Sequence, residues 1–278
     1  MAMKPVIVGT DGSQESLRAA EWAAREAALR GALLRIVAIP VLPPRMTPNP
    51  ATPDTVAGLI EHSMNRALAA AAQQAAALEP DLGIETQLLE GAPAEVLVAA
   101  GRDASMLVLG SRGAGGFSAM ILGSVSRYVA THAPVPVVVA REEITAEHRE
   151  IVVGVRDPAH SAAALGFAFE EAALRKARLL VVHAWSWSVP GHSEVAAEEN
   201  TRLESAVSTW REKFPDVEAR WEVMHAHPGR VLAGSSARAD LVVLGRHAPD
   251  GSHRPGVGSV THAVLSHAHG PVVSVPGD

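Results

Sequence analysis

The chain has no cysteine and only three lysines, Lys4, Lys176 and Lys213. The first absence excludes disulfides, thiol nucleophiles and cysteine-ligated zinc, and it fits a reducing compartment. The second excludes a GxxxxGK[ST] phosphate loop, because the lysines are followed by Pro5, Ala177 and Phe214. No GxGxxG follows the first apolar strand, which argues against a dinucleotide-binding fold. Aromatic residues are scarce, at 4%, while 47% of the chain is hydrophobic. That bias towards Ala, Val and Leu suits helices layered on a parallel sheet. A formal net charge of −6 argues against a general nucleic-acid binder. No apolar run reaches the length of a membrane span. The opening MAMKPVIVGTDGS passes into a strand without the apolar region of a signal peptide. The expectation is a soluble cytoplasmic protein with no membrane and no nucleic-acid partner. Its 278 residues suggest two domains of ordinary size.

Those two domains are copies of one pattern. VIVGTDGSQES (6–16) aligns with VVGVRDPAHS (152–161), pairing Gly9 with Gly154 at an offset of 145. The offset holds through LLRIVAI (33–39) and RLLVVHA (178–184), then falls to 135. At that offset SMLVLG (105–110) meets DLVVLG (240–245), and Gly123-Ser124 meets Gly258-Ser259. The first copy therefore carries ten more residues between the second and third strands, most of them assigned to the Pro-rich loop at 40–54. Expected strands lie near 5–10, 33–39, 83–89, 106–110 and 136–140, with helices near 13–30, 55–79, 93–102 and 123–132. Apolar spacing of three and four, as in Leu17, Ala20, Ala24 and Leu29, supports the helices, and Ser13 is a natural N-cap. The second copy repeats the strands near 150–155, 178–184, 217–224, 241–245 and 271–275. Continuous runs such as IVVGV and LVVLG read as strands buried on both faces. The fold expected is α/β, two doubly wound five-stranded parallel sheets of order 3-2-1-4-5. The domains would span 1–140 and 150–278, joined by the charged REEITAEHR at 141–149.

The most informative stretch is MLVLGSRGAGGFSAMILGSVS at 106–126. A buried strand ends at Gly110, Gly113 follows, and Gly123-Ser124 opens a helix. Glycines admit an anion close to the backbone, and free N–H groups at a helix start point at it. In the 3-2-1-4-5 order, strands one and four flank the topological switch point, where ligands bind beyond the strand ends. Thr10-Asp11-Gly12-Ser13 and Gly110-Ser111-Arg112-Gly113 converge there. Arg112 could meet a terminal phosphate or stand solvated.

These residues resemble the universal stress protein family in its tandem form, over essentially the whole chain. Gly110-x2-Gly113-x9-Gly123-Ser124 is similar to the nucleotide signature of the ATP-binding branch, and VGTDGS (8–13) to the family's first strand and turn. The resemblance implies an adenine nucleotide alpha hydrolase-like fold and an ATP-binding stress-response regulator. Asp11, with Thr10, would contact the adenosine end, and Ile39 would line the adenine pocket. Gly110, Gly113, Gly123 and Ser124 would hold ribose and phosphates, with Arg112, Val125 and Ser126 adding contacts. Mg²⁺ would sit on the phosphates, with no ligand from the protein. A homodimer and an unnamed regulatory partner are expected.

The second copy departs from the signature. Arg156 replaces Asp11, Asp157-Pro158 replaces Gly12-Ser13, and Ala248-Pro249 stands where Gly113 was. Ala248 would be strained if that position needs positive φ, and Pro158 removes an N–H. A weaker second site would use Val155, Asp157, Ala184, Gly245, Gly258, Ser259, Val260 and Thr261.

Ten of thirteen histidines lie from residue 151 onward. His225-x-His227 and His267-x-His269 lack a carboxylate partner fixed by spacing, so solvated or core histidines are favoured over a metal site. His183, in place of Ala38, should bond a backbone group. Trp185 and Trp187 could flank a base or cover a helix; the second reading is preferred. The valines at 137–139 and 272–273 would form edge strands needing a partner. A second function class, a slow ATPase or phosphoryl-transfer enzyme at the same site, lacks a lysine or an obvious base. An adenylating relative lacks its SGGxDS loop, and nothing suggests flavin.

Overall fold

The structure, a computed structural model, describes residues 3–41, 53–113, 122–141, 147–186, 192–246 and 258–277. The Pro-rich loop, most of the segment between Gly113 and Gly123, Trp187 and Ala248-Pro249 lie mostly or wholly outside them. The chain divides into two compact units, Met1–Arg141 and Glu142–Asp278.

The first unit runs β1 (Val6–Gly9), α1 (Gln14–Arg30), β2 (Leu34–Ala38), α2 (Pro53–Leu78), β3 (Ile84–Leu88), α3 (Pro93–Ala100), β4 (Met106–Gly110), α4 (Ser124–His132) and β5 (Val137–Ala140). All its pairings are parallel, in the order β3-β2-β1-β4-β5. The second runs β6 (Glu150–Gly154), α5 (Ala162–Arg175), β7 (Arg178–Trp185), α6 (His192–Lys213), β8 (Ala219–His225), α7 (Pro228–Ser235), β9 (Leu241–Arg246), α8 (Ser259–His267) and β10 (Val272–Pro276). Its order, β8-β7-β6-β9-β10, is the same winding. Each unit therefore shows the doubly wound parallel order 3-2-1-4-5 expected from the alternating pattern.

Burial follows composition. Every residue of β4 and β5 is buried, because Val, Leu and Ala side chains face helices on both sides. In β3 the central Glu85, Thr86 and Gln87 are exposed, as suits a sheet edge. Arg35 on β2 bonds Glu85 across that edge at 3.0 Å. The buried stripe of α1 is Ala19, Ala20, Ala23, Ala24 and Ala27. Leu29, expected on that stripe, is 44% exposed. Alanine fills the interface because the helix lies too close to the sheet for larger side chains. Ser13 caps α1 by accepting from the Ser16 N–H, and Gly31 ends it in the left-handed region at φ 60°. Lys176 ends α5 in that same region at φ 50°, which costs an L-residue about 1 kcal/mol.

The repeat extends to side-chain packing. A Cβ on Gly9 would meet Leu109 at 2.9 Å and Leu97 at 3.4 Å. A Cβ on Gly154 would meet the matching Leu244 at 2.9 Å and Leu232 at 2.6 Å. Each first strand ends in glycine because two leucines close over it. The buried Glu26 pairs with Arg30, and the matching buried Glu171 with Arg175 at 3.0 Å. Losing either arginine would take an ion-pair partner from a buried carboxylate. His183 is buried and its Nδ1 lies 2.9 Å from the Val155 carbonyl, the backbone bond expected of it. Trp185 is 2% exposed, its ring beside those of His183 and His225.

Candidate functional site

The site begins where β1 gives out. Asp11 folds back on its own turn: its Oδ1 accepts from the Ser13 N–H at 3.0 Å and from the Ser13 hydroxyl at 2.6 Å. Gly12, at φ 82°, makes that turn possible. The Ser16 hydroxyl donates to the Ser13 carbonyl at 2.9 Å, so the proton between Ser16 and Thr10, 3.0 Å apart, comes from Thr10. Thr10 and Ser16 are buried, and their hydroxyls knit the turn to α1. The other oxygen, Oδ2, lies 2.5 Å from where a Cβ on Gly113 would stand, and Asp11 lines the crevice described below.

The opposite wall comes from β4 and α4. Gly123 is the N-cap of α4, extended at φ −67° and ψ 151°, with no side-chain cap. The first-turn N–H groups of Ser124, Val125 and Ser126 therefore have no intrahelical acceptor. The Gly123 N–H itself donates to the Ser111 carbonyl at 2.8 Å, which folds the helix start back on the end of β4. The Ser126 hydroxyl donates to the Gly110 carbonyl at 2.7 Å, so its remaining donor towards the crevice is its amide. At the mouth, Arg112 Nη2 lies 3.0 Å from Glu15 Oε1.

Between these walls lies a crevice of about 340 Å³, within the ~300–1,000 Å³ of small-molecule clefts. All ten residues singled out in the first copy line it: Thr10, Asp11, Ile39, Gly110, Arg112, Gly113, Gly123, Ser124, Val125 and Ser126. So do six others, Gly9, Ser16, Val41, Pro93, Leu97 and Leu109. Pro93 and Leu97 are four apart on one face of α3, a spacing readable in the sequence. That α3 would cover the crevice was not. Its apolar lining is Ile39, Val41, Pro93, Leu97 and Leu109, and its polar lining includes the start of α4 at Ser124, Val125 and Ser126.

Two glycines have reasons other than those the motif suggests. Gly113 is not in the left-handed region; what it needs is room beside Asp11. Gly110 is needed by α1, since a Cβ there would lie 2.8 Å from the main-chain carbon and oxygen of Glu15.

The universal stress protein family model matches twice, over residues 3–141 and 147–276. The chain belongs to the universal stress protein family. Among its relatives, it is 34% identical to universal stress protein Rv2005c of Mycobacterium tuberculosis, over 96% of this chain and 95% of that one. It is 31% identical to universal stress protein Rv1996 of the same organism, over 96% and 93%. In fold it is similar to a universal stress protein from Archaeoglobus fulgidus, with a TM-score of 0.74 at 20% identity, covering 100% of this chain and 98% of that one.

The second universal stress protein copy is built differently where the first holds its crevice. Asp157, at the place of Gly12, does not take positive φ, and a short 3-10 turn, Pro158–His160, follows it. Its Oδ2 pairs with His160 Nδ1 at 2.8 Å. Arg156 is exposed, Val155 is buried with its carbonyl given to His183, and Ala184 is half-buried. Arg246 stands where the first copy has Ser111, and burial lowers its guanidinium pKa from the ordinary value. The half-buried Gly245 lies in β9, one residue before its end at Arg246. Gly258 caps α8 without a side-chain bond, ahead of Ser259, Val260 and the buried Thr261. The polar helix start thus persists at α8, while the Asp11 turn does not. Among the described residues no group of three or more His, Asp or Glu side chains could hold a metal ion, and no helix is long and apolar enough to cross a membrane. His227 serves as the N-cap residue of α7.

Proposed function

We propose that this universal stress protein is a nucleotide-binding regulator of the stress response, and that its first copy binds ATP. The observation that carries the reading is the meeting of an uncapped helix start at Gly123 with the Asp11 turn in one crevice that also has an apolar lining. The apolar lining suits a purine, the α4 N–H groups suit phosphates, and Asp11 Oδ2 suits a ribose hydroxyl. Mg²⁺ would be held by the phosphates, as is usual for this ion. In this reading domain 1 (1–140) carries the intact motif and domain 2 (150–278) a degenerate one. The protein would work in the cytoplasm as a homodimer, which light scattering at micromolar concentration would test, and would signal to a protein partner through its nucleotide state.

Mass spectrometry of nucleotide retained through purification tests the ligand. Calorimetric titration with a non-hydrolysable ATP analogue tests the count. One tight site per chain is expected, because Asp157 is turned to His160 and the Gly12 conformation is missing from the second copy. Two equal tight sites would defeat the single-site reading. No adenine-nucleotide binding at all would defeat the function.

Turnover of bound ATP is expected to be slow, below about 1 s⁻¹, the low end of ordinary enzymes. Amides at a helix start bind the ground state as well as the transition state, which leaves the barrier unchanged. The cation at hand, Arg112, is engaged by Glu15. Steady-state phosphate release decides it. A faster rate that is lost in Arg112→Ala with ATP affinity retained would favour the enzyme reading.

A further inference from the structure

The cation at the mouth of the crevice is held by a residue that does not line it. Arg112 and Glu15 are both partly exposed, 38% and 25%, with 3.0 Å between Nη2 and Oε1. Both main chains are fixed in place. Gly110 lets the main chain of Glu15 approach the end of β4 so closely that no Cβ fits between them. Two residues further on, the Arg112 Cα lies 3.6 Å from where a Cβ on Gly123 would stand, beside the start of α4. The Glu15 carboxylate occupies the first turn of α1, where the positive end of the helix favours it.

We propose that Glu15 is a positioning residue that sets how strongly the first site discriminates adenine nucleotides by their number of phosphates. The proposal rests on the adenine-nucleotide reading above. A single phosphate at the α4 N–H groups needs no guanidinium. Further phosphates carry charge towards the mouth, where Arg112 can pair with them, frequently through two parallel N–H bonds. To do so it must leave Glu15, whose carboxylate also repels the added charge. Glu15 therefore moderates the preference for the triphosphate, and a neutral side chain there should sharpen it.

The test is calorimetric titration of the full chain with AMP and with a non-hydrolysable ATP analogue, at one fixed ionic strength. Wild type is compared with Glu15→Gln, Glu15→Asp, Arg112→Gln and the Glu15→Gln/Arg112→Gln pair. Glu15→Gln should raise the ratio of ATP-analogue to AMP affinity about fivefold, the scale of a partly exposed ion pair. Arg112→Gln should lower the ratio. Glu15→Gln should change it clearly less once Arg112 is gone, and Glu15→Asp, which keeps the charge, should stay near wild type. An unchanged or lowered ratio in Glu15→Gln overturns the proposal, as does an equal change with and without Arg112. Equal loss of both ligands with a lowered melting temperature also overturns it, by making Glu15 merely structural. In each of those outcomes wild type still binds nucleotide and the functional reading stands. Failure of wild type to bind either ligand discards both.

Discussion

Gly123→Asp should weaken nucleotide binding by the first domain about a hundredfold while leaving that domain at least as stable as before. Gly123 is the N-cap of α4 and its extended backbone suits any residue. Among the described residues a Cβ there would meet nothing nearer than the Ser111 carbonyl oxygen at 3.5 Å, an ordinary contact. Aspartate is among the best N-cap residues, and its carboxylate accepts from the second and third helical N–H groups. Those belong to Val125 and Ser126, which face the crevice. The gain over glycine should be a few tenths of a kcal/mol. A phosphate would meet occupied donors and a like charge. Losing two charge-assisted bonds corresponds to roughly 3 kcal/mol or more, about a hundredfold in affinity. Titration and urea unfolding of one preparation give both signs. An aspartate variant that still binds the ATP analogue tightly would place the phosphates away from α4. Asparagine caps without the charge and should fall between.

Alanine at position 110 should do the reverse and damage the fold. Its Cβ would lie 2.8 Å from the main-chain carbon and oxygen of Glu15, atoms that no rotamer change can move aside. Separating α1 from β4 loosens the alanine stripe on that helix. Overpacking of this kind costs about 1–3 kcal/mol. Gly258 is the useful contrast, since no described residue lies within 4 Å of a Cβ there; its alanine variant should lose only the strength of a helix cap, about 1 kcal/mol, and leave α1 and β4 untouched. Hydrogen exchange resolved by segment should show α1 and β4 opening more readily in Gly110→Ala alone. Equal protection in wild type and Gly110→Ala would mean that the close approach of α1 is not needed.

Much of the architecture was legible because its signals are local. Runs such as Met106–Leu109 and Ile151–Val153 are buried on both faces, so they read as parallel strands without knowledge of their neighbours. Ser13 before a helical run and Gly31 after it mark the ends of α1 by backbone rules alone. Leu29 misled, because apolar spacing reports that a helix has a buried face but not how near the sheet lies. The near approach of α1 selects alanine for that face, and Leu29 is turned outward.

The site was legible to a different depth. Ten lining residues follow from two strand ends, one helix start and Ile39, because the winding order brings those elements to one switch point. The placing of Pro93 and Leu97 of α3 over the crevice and the Arg112–Glu15 pair are absent from any local pattern, because they depend on distances between segments far apart in the chain. The turning of Asp11 Oδ1 onto Ser13 spans two residues and is the kind of turn an Asp-Gly-Ser run can show in sequence.

Sequence alone determined the repeat, the strand and helix types, the winding order and the segments that meet at the crevice. All of these rest on hydrophobic period and on the φ and N–H properties of single residues, which act over a few positions. Only the tertiary structure decided what each glycine is for. Gly110 makes room for a helix, Gly113 for a carboxylate, and Gly123 for none of the described residues. A missing Cβ looks the same in sequence whichever neighbour requires it, and that neighbour is known only when the chain has packed.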